Sequence, residues 1–206
     1  MMSEKRSSSK WQPFATEYDP LKCGSIDGTD TQVHDKAISR AITSEYKPNP
    51  TVKGNPECTV FVAKLNHATT EQTLRQIFGS FGAVVKATVI RDYVTGFPRG
   101  YGFVEFATST DAREAYHDAH QLVIDGNSIV VDYEHGRLMK GWKPRRLGGG
   151  FGGKKESGQL RFGCRDRPFK RPITLDKHRP SAPYRRRQNE TDQRQSFSKK
   201  REHHRR

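Results

Sequence analysis

The sequence lacks long apolar runs. Hydrophobic residues make up 32% of the 206 positions, and the mean hydropathy is −0.91. No stretch is apolar enough to predict a transmembrane helix, and the charged, serine-rich start does not have the pattern of a signal peptide. A single core along the whole chain is also excluded, because it would need more apolar residues. We therefore expect one domain of ordinary size with poorly folded extensions and no membrane partner.

Cysteines are few, and catalytic patterns are missing. Cys23, Cys58 and Cys164 are far apart, without a Cys-x-x-Cys pair or a histidine cluster, which predicts neither a metal site nor a disulfide framework. Residues 148–154 spell most of a phosphate-binding loop, but Lys155 replaces the Ser/Thr that would hold magnesium. We predict a binding protein and not an enzyme, with no metal, cofactor or small-molecule substrate.

Positive charge is concentrated in the last third of the chain. The formal net charge is +14, and residues 137–206 contain 23 Lys/Arg against 6 Asp/Glu, whereas residues 1–136 contain 14 against 17. A basic segment of this kind attracts polyanions without selecting among their sequences. Residues 137–206 are therefore predicted to be a basic, Gly/Arg/Pro-rich, largely disordered tail, and a nucleic acid is the expected partner.

Residues 1–57 predict an N-terminal arm rather than a domain, because scattered aromatic residues stand among Pro, Asp and Gly. Apolar residues recur within it at helical spacing, namely Ala37, Ile38, Ala41 and Ile42. They predict a short helix over 35–46, with Asp35 as its N-cap. This helix could pack on the domain, pack on a partner, or form only on binding.

Residues 58–136 have the periodic apolar patterns of an α+β domain. Strands are predicted over 60–63, 84–91, 99–106 and 129–133. After the first strand, Thr69 and Gln72 have capping-box spacing and begin a helix with one apolar face, which Gly82 ends. A second helix begins near Ser109. The order βαββαβ within about eighty residues predicts a ferredoxin-like fold.

The third predicted strand carries two aromatic side chains on one face. Because side chains alternate in a strand, Tyr101 and Phe103 lie opposite Val104 and Phe106. Right-handed crossovers place both helices on one face of the sheet, and the apolar pair faces them. The two rings, with Phe61 of the first strand, are then left on the open face. Nucleobases could cover them, as could the tail, the N-terminal helix or a partner protein.

The third strand resembles the octapeptide of the RNA recognition motif family, K/R-G-F/Y-G/A-F-V-x-F/Y, because it spells RGYGFVEF over residues 99–106. The first strand, VFVAKL over 60–65, is similar to the companion hexapeptide, with Lys64 in place of the usual asparagine. The resemblance implies a four-stranded antiparallel sheet with two helices on one face. It also implies that the ligand is single-stranded or looped RNA.

The resemblance implies a set of RNA-binding residues on the open face. They are Phe61, Lys64, Arg99, Tyr101, Phe103, Glu105, Val130 and Asp132. The aromatic rings would stack on bases, Arg99 and Lys64 would contact phosphates, and Asp132 would accept a hydrogen bond from a base amino group. We further expect auxiliary phosphate contacts from Lys140, Lys143, Arg145 and Arg146.

The flanks resemble those of RNA recognition motif proteins in spliceosomal small nuclear ribonucleoproteins. Residues 140–153 (KGWKPRRLGGGFGG) and 18–20 carry this resemblance, and residues 24–30 and 152–162 are more similar to the minor-spliceosome branch. It implies a nuclear protein that binds a U11-type small nuclear RNA stem-loop, joins other ribonucleoprotein components and supports 5′ splice-site recognition. A major-spliceosome or general mRNA-binding role and a protein-binding version of the motif are alternatives, although the last usually lacks sheet aromatics.

Overall fold

A computed structural model describes residues 11–153 and 158–173; residues 174–206, the last part of the predicted tail, lie outside the described ranges. The helices are α1 Pro20–Gly24, α2 Lys36–Thr43, α3 Glu71–Phe78, α4 Ser109–Asp118 and α5 His135–Leu138. The strands are β1 Thr59–Ala63, β2 Val84–Arg91, β3 Pro98–Phe106, β4 Val123–Ile124, β5 Asn127–Ser128 and β6 Val130–Tyr133. None of these helices is long and apolar enough to span a membrane.

Four strands form one antiparallel sheet in the order β2-β3-β1-β6. In the middle of the sheet, Phe61 on β1 lies opposite Phe103 on one side and Asp132 on the other. A small hairpin, β4–β5, precedes β6, and strands of two residues are too short for a periodic signal to predict them. The predicted ferredoxin-like α+β fold is confirmed.

The core lies between the sheet and the helices α3 and α4. Its central side chains are no more than 1% exposed: Val60, Val62, Val104, Phe106 and Val131 from the sheet, and Leu74, Phe78, Ala112 and Ala115 from the helices. Burying one large apolar side chain stabilises a fold by about 1.5–3 kcal/mol, so this layer dominates the stability of the domain. Alternation then leaves Phe61, Tyr101 and Phe103 on the other face, as predicted.

Gly102 determines how closely β2 and β3 can approach. A Cβ atom at this buried position would lie 2.5 Å from the Thr88 carbonyl oxygen, so no side chain fits without a shift of β2. The register of β2 against β3 is irregular on both sides of this contact. The glycine therefore sets the strand spacing directly between Tyr101 and Phe103, the two aromatic positions of β3.

Helix α3 begins and ends at different residues from those predicted. The Thr70 hydroxyl, not that of Thr69, accepts a hydrogen bond from the Thr73 amide at 3.2 Å. Thr69 instead donates to the Asp125 carboxylate at 2.6 Å and joins the helix to the β4–β5 turn. This tertiary contact is invisible to capping-box spacing. The helix also ends before the predicted Gly82.

Helix α2 confirms the predicted amphipathic helix in the arm, although it is shorter than expected. The Asp35 carboxylate accepts hydrogen bonds from the Ala37 and Ile38 amides, as an N-cap does. Ala37, Ile38 and Ala41 are buried. The helix packs against α1 and against the 3-10 turn at Arg145–Leu147. It therefore joins the C-terminal segment and not the helical side of the sheet.

The segments on either side of the sheet domain fold together, in contrast to the expected separate arm and disordered tail. Backbone hydrogen bonds pair Ala15 with Gly163, Tyr18 with Lys140, Phe162 with Cys23 and Phe169 with Pro13. We call residues 11–44, 135–153 and 158–171 the flank module. The prediction of disorder is wrong for the described part of the tail, because pairing between irregular, distant segments produces no periodic signal.

Arg161 lies at the centre of the flank module and is 1% exposed. Its guanidinium donates twice to the Gly148 carbonyl, at 3.2 and 2.9 Å, and lies 3.1 Å from the Asp35 carboxylate. One side chain thus connects the N-cap of α2 to the Gly-rich segment that follows the domain. A buried guanidinium is stable only when its donors are paired, so these contacts constrain both flanks.

A cluster of aromatic side chains closes the same module. The Tyr18 hydroxyl donates to the Gly150 carbonyl at 2.9 Å. Its ring lies 5.0 Å from that of Trp142 and 5.3 Å from that of Phe151, both edge-on. Edge-to-face packing at this distance is favourable. Tyr18 of the arm is therefore held by residues 140–153, the segment that resembles spliceosomal flanks.

Candidate nucleic-acid interface

Three aromatic rings form a triangle on the open face of the sheet. The ring centroid of Phe61 lies 5.6 Å from that of Phe103 and 5.7 Å from that of Tyr101, and the last two are 6.3 Å apart. Rings at these separations are in contact and hold one another in place. All three are half-buried. Their remaining faces form a platform on which planar groups can stack.

The aromatic triangle is the floor of a groove of about 960 Å³. One wall consists of residues 46–53, which we call the strap, and another of α5 with residues 142–151. The end of the strap is tied down by Asn55, whose amide donates to Glu105 at 3.2 Å, and by the Arg137 guanidinium, which donates to the Gly54 carbonyl at 2.8 Å. The flanks therefore border the three rings and leave the groove open.

The carboxylates of the groove are engaged by the protein itself. Glu105 holds the end of the strap. Glu134 forms a bidentate pair with Arg137 at 2.6 and 2.7 Å, and Asp132 lies 3.2 Å from His135 Nε2. Paired carboxylates repel a polyanion less than free ones do. The partner of Glu134 comes from α5, so the flank module neutralises one carboxylate at the edge of the groove.

Cationic side chains of the groove are in the opposite situation. Arg137 and Arg145 line the groove but are engaged by the protein. The other four are Lys53, Lys86, Arg99 and Arg146. Within the described residues, none of the four forms an ion pair with a carboxylate. The Arg99 guanidinium lies 5.9 Å from the Tyr101 ring centroid and that of Arg146 lies 5.7 Å from the Tyr46 ring centroid. Unpaired cations beside aromatic rings suit phosphates that follow stacked bases.

Lys64 has a structural contact that its predicted role did not include. Its φ is 62°, a left-handed conformation that is uncommon outside glycine. Its Nζ lies 2.9 Å from the Asp166 carboxylate of the flank module. Both side chains are partly exposed, and such pairs are weak. A phosphate would compete with Asp166 for this lysine.

Val130 and Asp132, the residues expected on the open face of β6, are each only 8% exposed. For Asp132, α5 begins directly after the strand and places His135 against the carboxylate. Asp132 still lines the groove. It also lines a second cavity of about 300 Å³ together with Arg165. Its carboxylate is therefore accessible from the groove, while Val130 contributes packing.

The four expected auxiliary cations have different environments. Arg145 points inward and donates to two backbone carbonyls, and burial together with the charge of Arg161 lowers the pKa of its guanidinium. Lys143 donates to a backbone carbonyl of the arm, and Lys140 pairs with a glutamate of the arm at 3.1 Å. Arg146 is exposed and lines the groove. The structure thus gives Arg145 a structural role in place of the predicted phosphate contact.

All three cysteines are buried and unbonded to one another. Burial raises the pKa of the Cys23 thiol to about 12 and that of Cys164 to about 11. Both thiols are therefore protonated at neutral pH, and a protonated thiol is a poor nucleophile. In residues 11–153 and 158–173, no three His, Cys, Asp or Glu side chains are grouped as a metal ion would require.

The walls of the groove are the part of the interface that sequence patterns do not reveal. Pro48, Pro50 and Gly54 indicate a linker, and nothing in their spacing places it beside the sheet. The available signals were Tyr46 and Trp142, because large aromatic residues in polar or Gly-rich segments need a surface to pack on. The four residues of α5 are too few for a helical period.

Comparison with known proteins adds to this geometry. Residues 60–130 match the family model described as RNA recognition motif. The "U11/U12 small nuclear ribonucleoprotein 35 kDa protein" of Danio rerio is 51% identical over 174 residues, which cover 84% of this chain and 84% of that protein. The "U1 small nuclear ribonucleoprotein 70 kDa" of Arabidopsis thaliana is 36% identical over 128 residues, or 60% and 30% of the two chains. The crystal structure of RNA Binding Protein PG1 is 34% identical, with a TM-score of 0.36, over 37% of this chain and 92% of that chain.

The antiparallel sheet, its two one-sided helices and the aromatic triangle define residues 60–130 as an RNA recognition motif domain. Similarity to the Danio rerio protein extends well beyond this domain into both flanks. The chain belongs to the family of U11/U12 small nuclear ribonucleoprotein 35 kDa proteins. Its similarity to the U1 70 kDa protein is lower and shorter.

Proposed function

We propose that this protein is an RNA-binding component of the U11/U12 small nuclear ribonucleoprotein and that it binds the loop of an RNA hairpin in the groove. The observation that carries the proposal is the aromatic triangle, open to solvent and bordered by unpaired cations. Loop bases are unstacked and free to leave the RNA helix. Each base stacked on an aromatic ring contributes about 1–3 kcal/mol.

Individual residues have distinct proposed roles in this groove. Phe61, Tyr101 and Phe103 stack on bases, and Arg99 binds a phosphate. Glu105 acts indirectly, because it holds the end of the strap. The other proposed contacts are Lys64 and Arg146 to phosphates, Asp132 to a base amino group, and Val130 by packing beside it. Lys140 is exposed and available to the RNA helix outside the groove.

The proposed RNA is a stem-loop of the U11-type small nuclear RNA, which would place the protein in 5′ splice-site recognition for minor-class introns. Family membership supports this assignment, because the Danio rerio relative with 51% identity is a U11/U12 protein. The proposal includes a nuclear location and contacts with other proteins of the particle. A protein-binding version of the fold is disfavoured, since all three sheet aromatics are present and open to the groove.

Crosslinking in cells tests this proposal. The full-length protein is crosslinked to RNA, recovered separately from nuclear and cytoplasmic fractions, and analysed for both RNA sequence and crosslinked peptides. We expect one small nuclear RNA to dominate the nuclear fraction, with crosslinks at its loop and at residues 59–63 and 98–106 of the protein. Stacked bases lie against these strands, so the peptides report the groove directly.

Two results would contradict the proposal. Crosslinks confined to residues 174–206 would show that charge alone attracts RNA. A broad set of cytoplasmic messenger RNAs, with no small nuclear RNA among the dominant species, would favour general mRNA binding instead.

A further inference from the structure

The two walls of the groove carry an aromatic ring and a cation of their own. Tyr46, the first residue of the strap, lines the groove, and so does Arg146 from the flank module. The Arg146 guanidinium lies 5.7 Å from the Tyr46 ring centroid. The two residues are a hundred positions apart in sequence, so only the folding of both flanks brings them together.

Tyr46 is held in place by close packing over α5. A Cβ atom at Gly136 would lie 3.3 Å from the Tyr46 hydroxyl and 3.9 Å from Trp142 Nε1, so this glycine leaves the space that both side chains use. Trp142 is itself fixed by its ring contacts with Tyr18 and Phe151. Within the described residues, neither the Tyr46 hydroxyl nor Trp142 Nε1 forms a hydrogen bond. Their polar atoms are therefore available at the groove.

Arg146 differs from its neighbour Arg145 in a way that suggests a ligand. Arg145 directs its guanidinium inward, to the carbonyls of Phe151 and Gln159. Arg146 is exposed and has no carboxylate partner among the described residues, whereas Arg137 and Arg161 each have one. A solvent-exposed arginine on a tyrosine ring has one guanidinium face and several donors left for another molecule.

We propose that Tyr46 and Arg146, on the two walls above the aromatic triangle, form a second stacking site for a base of the same RNA. A base stacks on the ring or on the guanidinium plane, and the positive charge binds the adjoining phosphate. The strand of RNA then lies between the sheet and the flank module. This inference rests on the proposed function and adds residues outside the RNA recognition motif to it.

Binding measurements with full-length protein test the second site. The probes are a labelled U11 stem-loop RNA and an RNA of equal length with a scrambled loop. Tyr46→Ala and Arg146→Ala should each weaken binding to the first probe about tenfold, the effect of losing one stacked base. Tyr46→Phe should recover most of the affinity, because the ring is retained. Arg146→Lys should restore the salt dependence but not the affinity, because it keeps the charge without the plane.

The matched control is Lys47→Ala, which removes one positive charge beside Tyr46. Lys47 lies outside the groove and pairs with Glu45 at 3.2 Å, so its loss should change binding by less than about twofold. Equal effects of Lys47→Ala and Arg146→Ala would overturn the inference, since bulk charge would then explain both. Trp142 fluorescence would show whether Tyr46→Ala disturbs folding. In that case the affinity of Arg146→Ala alone tests the inference, because Arg146 is exposed.

The second site and the proposed function fail in different ways. If Tyr101→Ala with Phe103→Ala abolishes binding of the U11 probe while Arg146→Ala has no effect, the second site is wrong and the proposed function stands. If the sheet variant binds normally, the proposed function is wrong as well. Loss of a protein component of the particle from Arg146→Ala, with RNA affinity unchanged, would show that this wall binds protein and would overturn the inference.

Discussion

The sheet domain and the flank module are stabilised by different interactions. In the sheet domain, side chains such as Leu74, Phe78 and Val104 form one apolar layer between regular elements. In the flank module, irregular segments are joined by backbone pairs, an aromatic cluster and the buried Arg161. The regular part supplies the aromatic floor of the groove. The irregular part supplies walls of the groove and pairs Glu134 beside it.

This division makes the charge of the interface depend on the flanks. Arg137 and His135, both on α5, face Glu134 and Asp132 at the edge of the sheet. An isolated RNA recognition motif without α5 would leave Glu134 without its Arg137 partner. We infer that the flank module contributes to RNA binding even where it does not contact RNA, because it lowers repulsion of the phosphates.

The largest expected change is a loss of stability that is confined to the flank module. Arg161→Leu removes the guanidinium from Asp35 and from the Gly148 carbonyl, and breaking a buried pair costs about 3–5 kcal/mol. Both tryptophans, Trp11 and Trp142, lie in this module, so their fluorescence during denaturation reports it selectively. We expect the fluorescence transition to shift to lower denaturant while amide exchange in β1 and β3 stays slow.

The matched control is the exposed pair between Lys140 and Glu17. Lys140→Ala should leave the transition unchanged, because exposed ion pairs contribute little. If Arg161→Leu instead shifts tryptophan fluorescence and sheet exchange together, the two regions form a single cooperative unit, and the comparison between them is invalid.

A smaller loss of stability is expected for α2 at low pH. Partial burial alone would raise the pKa of Asp35, but hydrogen bonds from the Ile38 and Ala37 amides and the charge of Arg161 outweigh it and hold the pKa below its ordinary value. The stabilisation is therefore fully present above the ordinary aspartate pKa of about 3.9 and is lost as the pH falls through the lowered pKa. Below about pH 4 we expect amide exchange in α2 to accelerate before that in β3.

Asp35→Asn separates charge from capping in this experiment. Asparagine is also a good N-cap, so α2 should persist, while the interaction with the Arg161 charge is lost. The variant should be less stable than the original at neutral pH and should lose the acid dependence of α2. An unchanged acid response in Asp35→Asn would show that another carboxyl group is responsible.

Regular elements of the fold could be predicted because their signals are local. The strand prediction over 84–91 matches β2, and helical spacing predicted α4 from Ser109, as observed. Asp35 was also correctly predicted as the cap of α2. The cap of α3 was wrong because Thr69 is recruited by Asp125, which is distant in sequence. Local patterns cannot show which of two adjacent threonines has a tertiary partner.

Sequence patterns likewise predict one part of the candidate site and not the other. The faces of Phe61, Tyr101 and Phe103 follow from alternation, and the structure places all three in one groove. The environments of the flank cations do not follow from any pattern. Arg145 and Arg146 are adjacent and identical in type, yet one is turned inward by carbonyls from residues 151 and 159. Such contacts exist only after both flanks have folded.

The central claim is that the aromatic triangle selects RNA bases, and one binding measurement tests it most directly. Tyr101→Ala with Phe103→Ala leaves the core face of β3 intact, and affinity is measured for the U11 stem-loop and for an unrelated RNA of equal length. Losing two stacked bases should weaken stem-loop binding by about 30-fold or more. The unrelated RNA should be affected less than about threefold, because its attraction is electrostatic. Equal losses for both RNAs, or no loss for the stem-loop, would contradict the account.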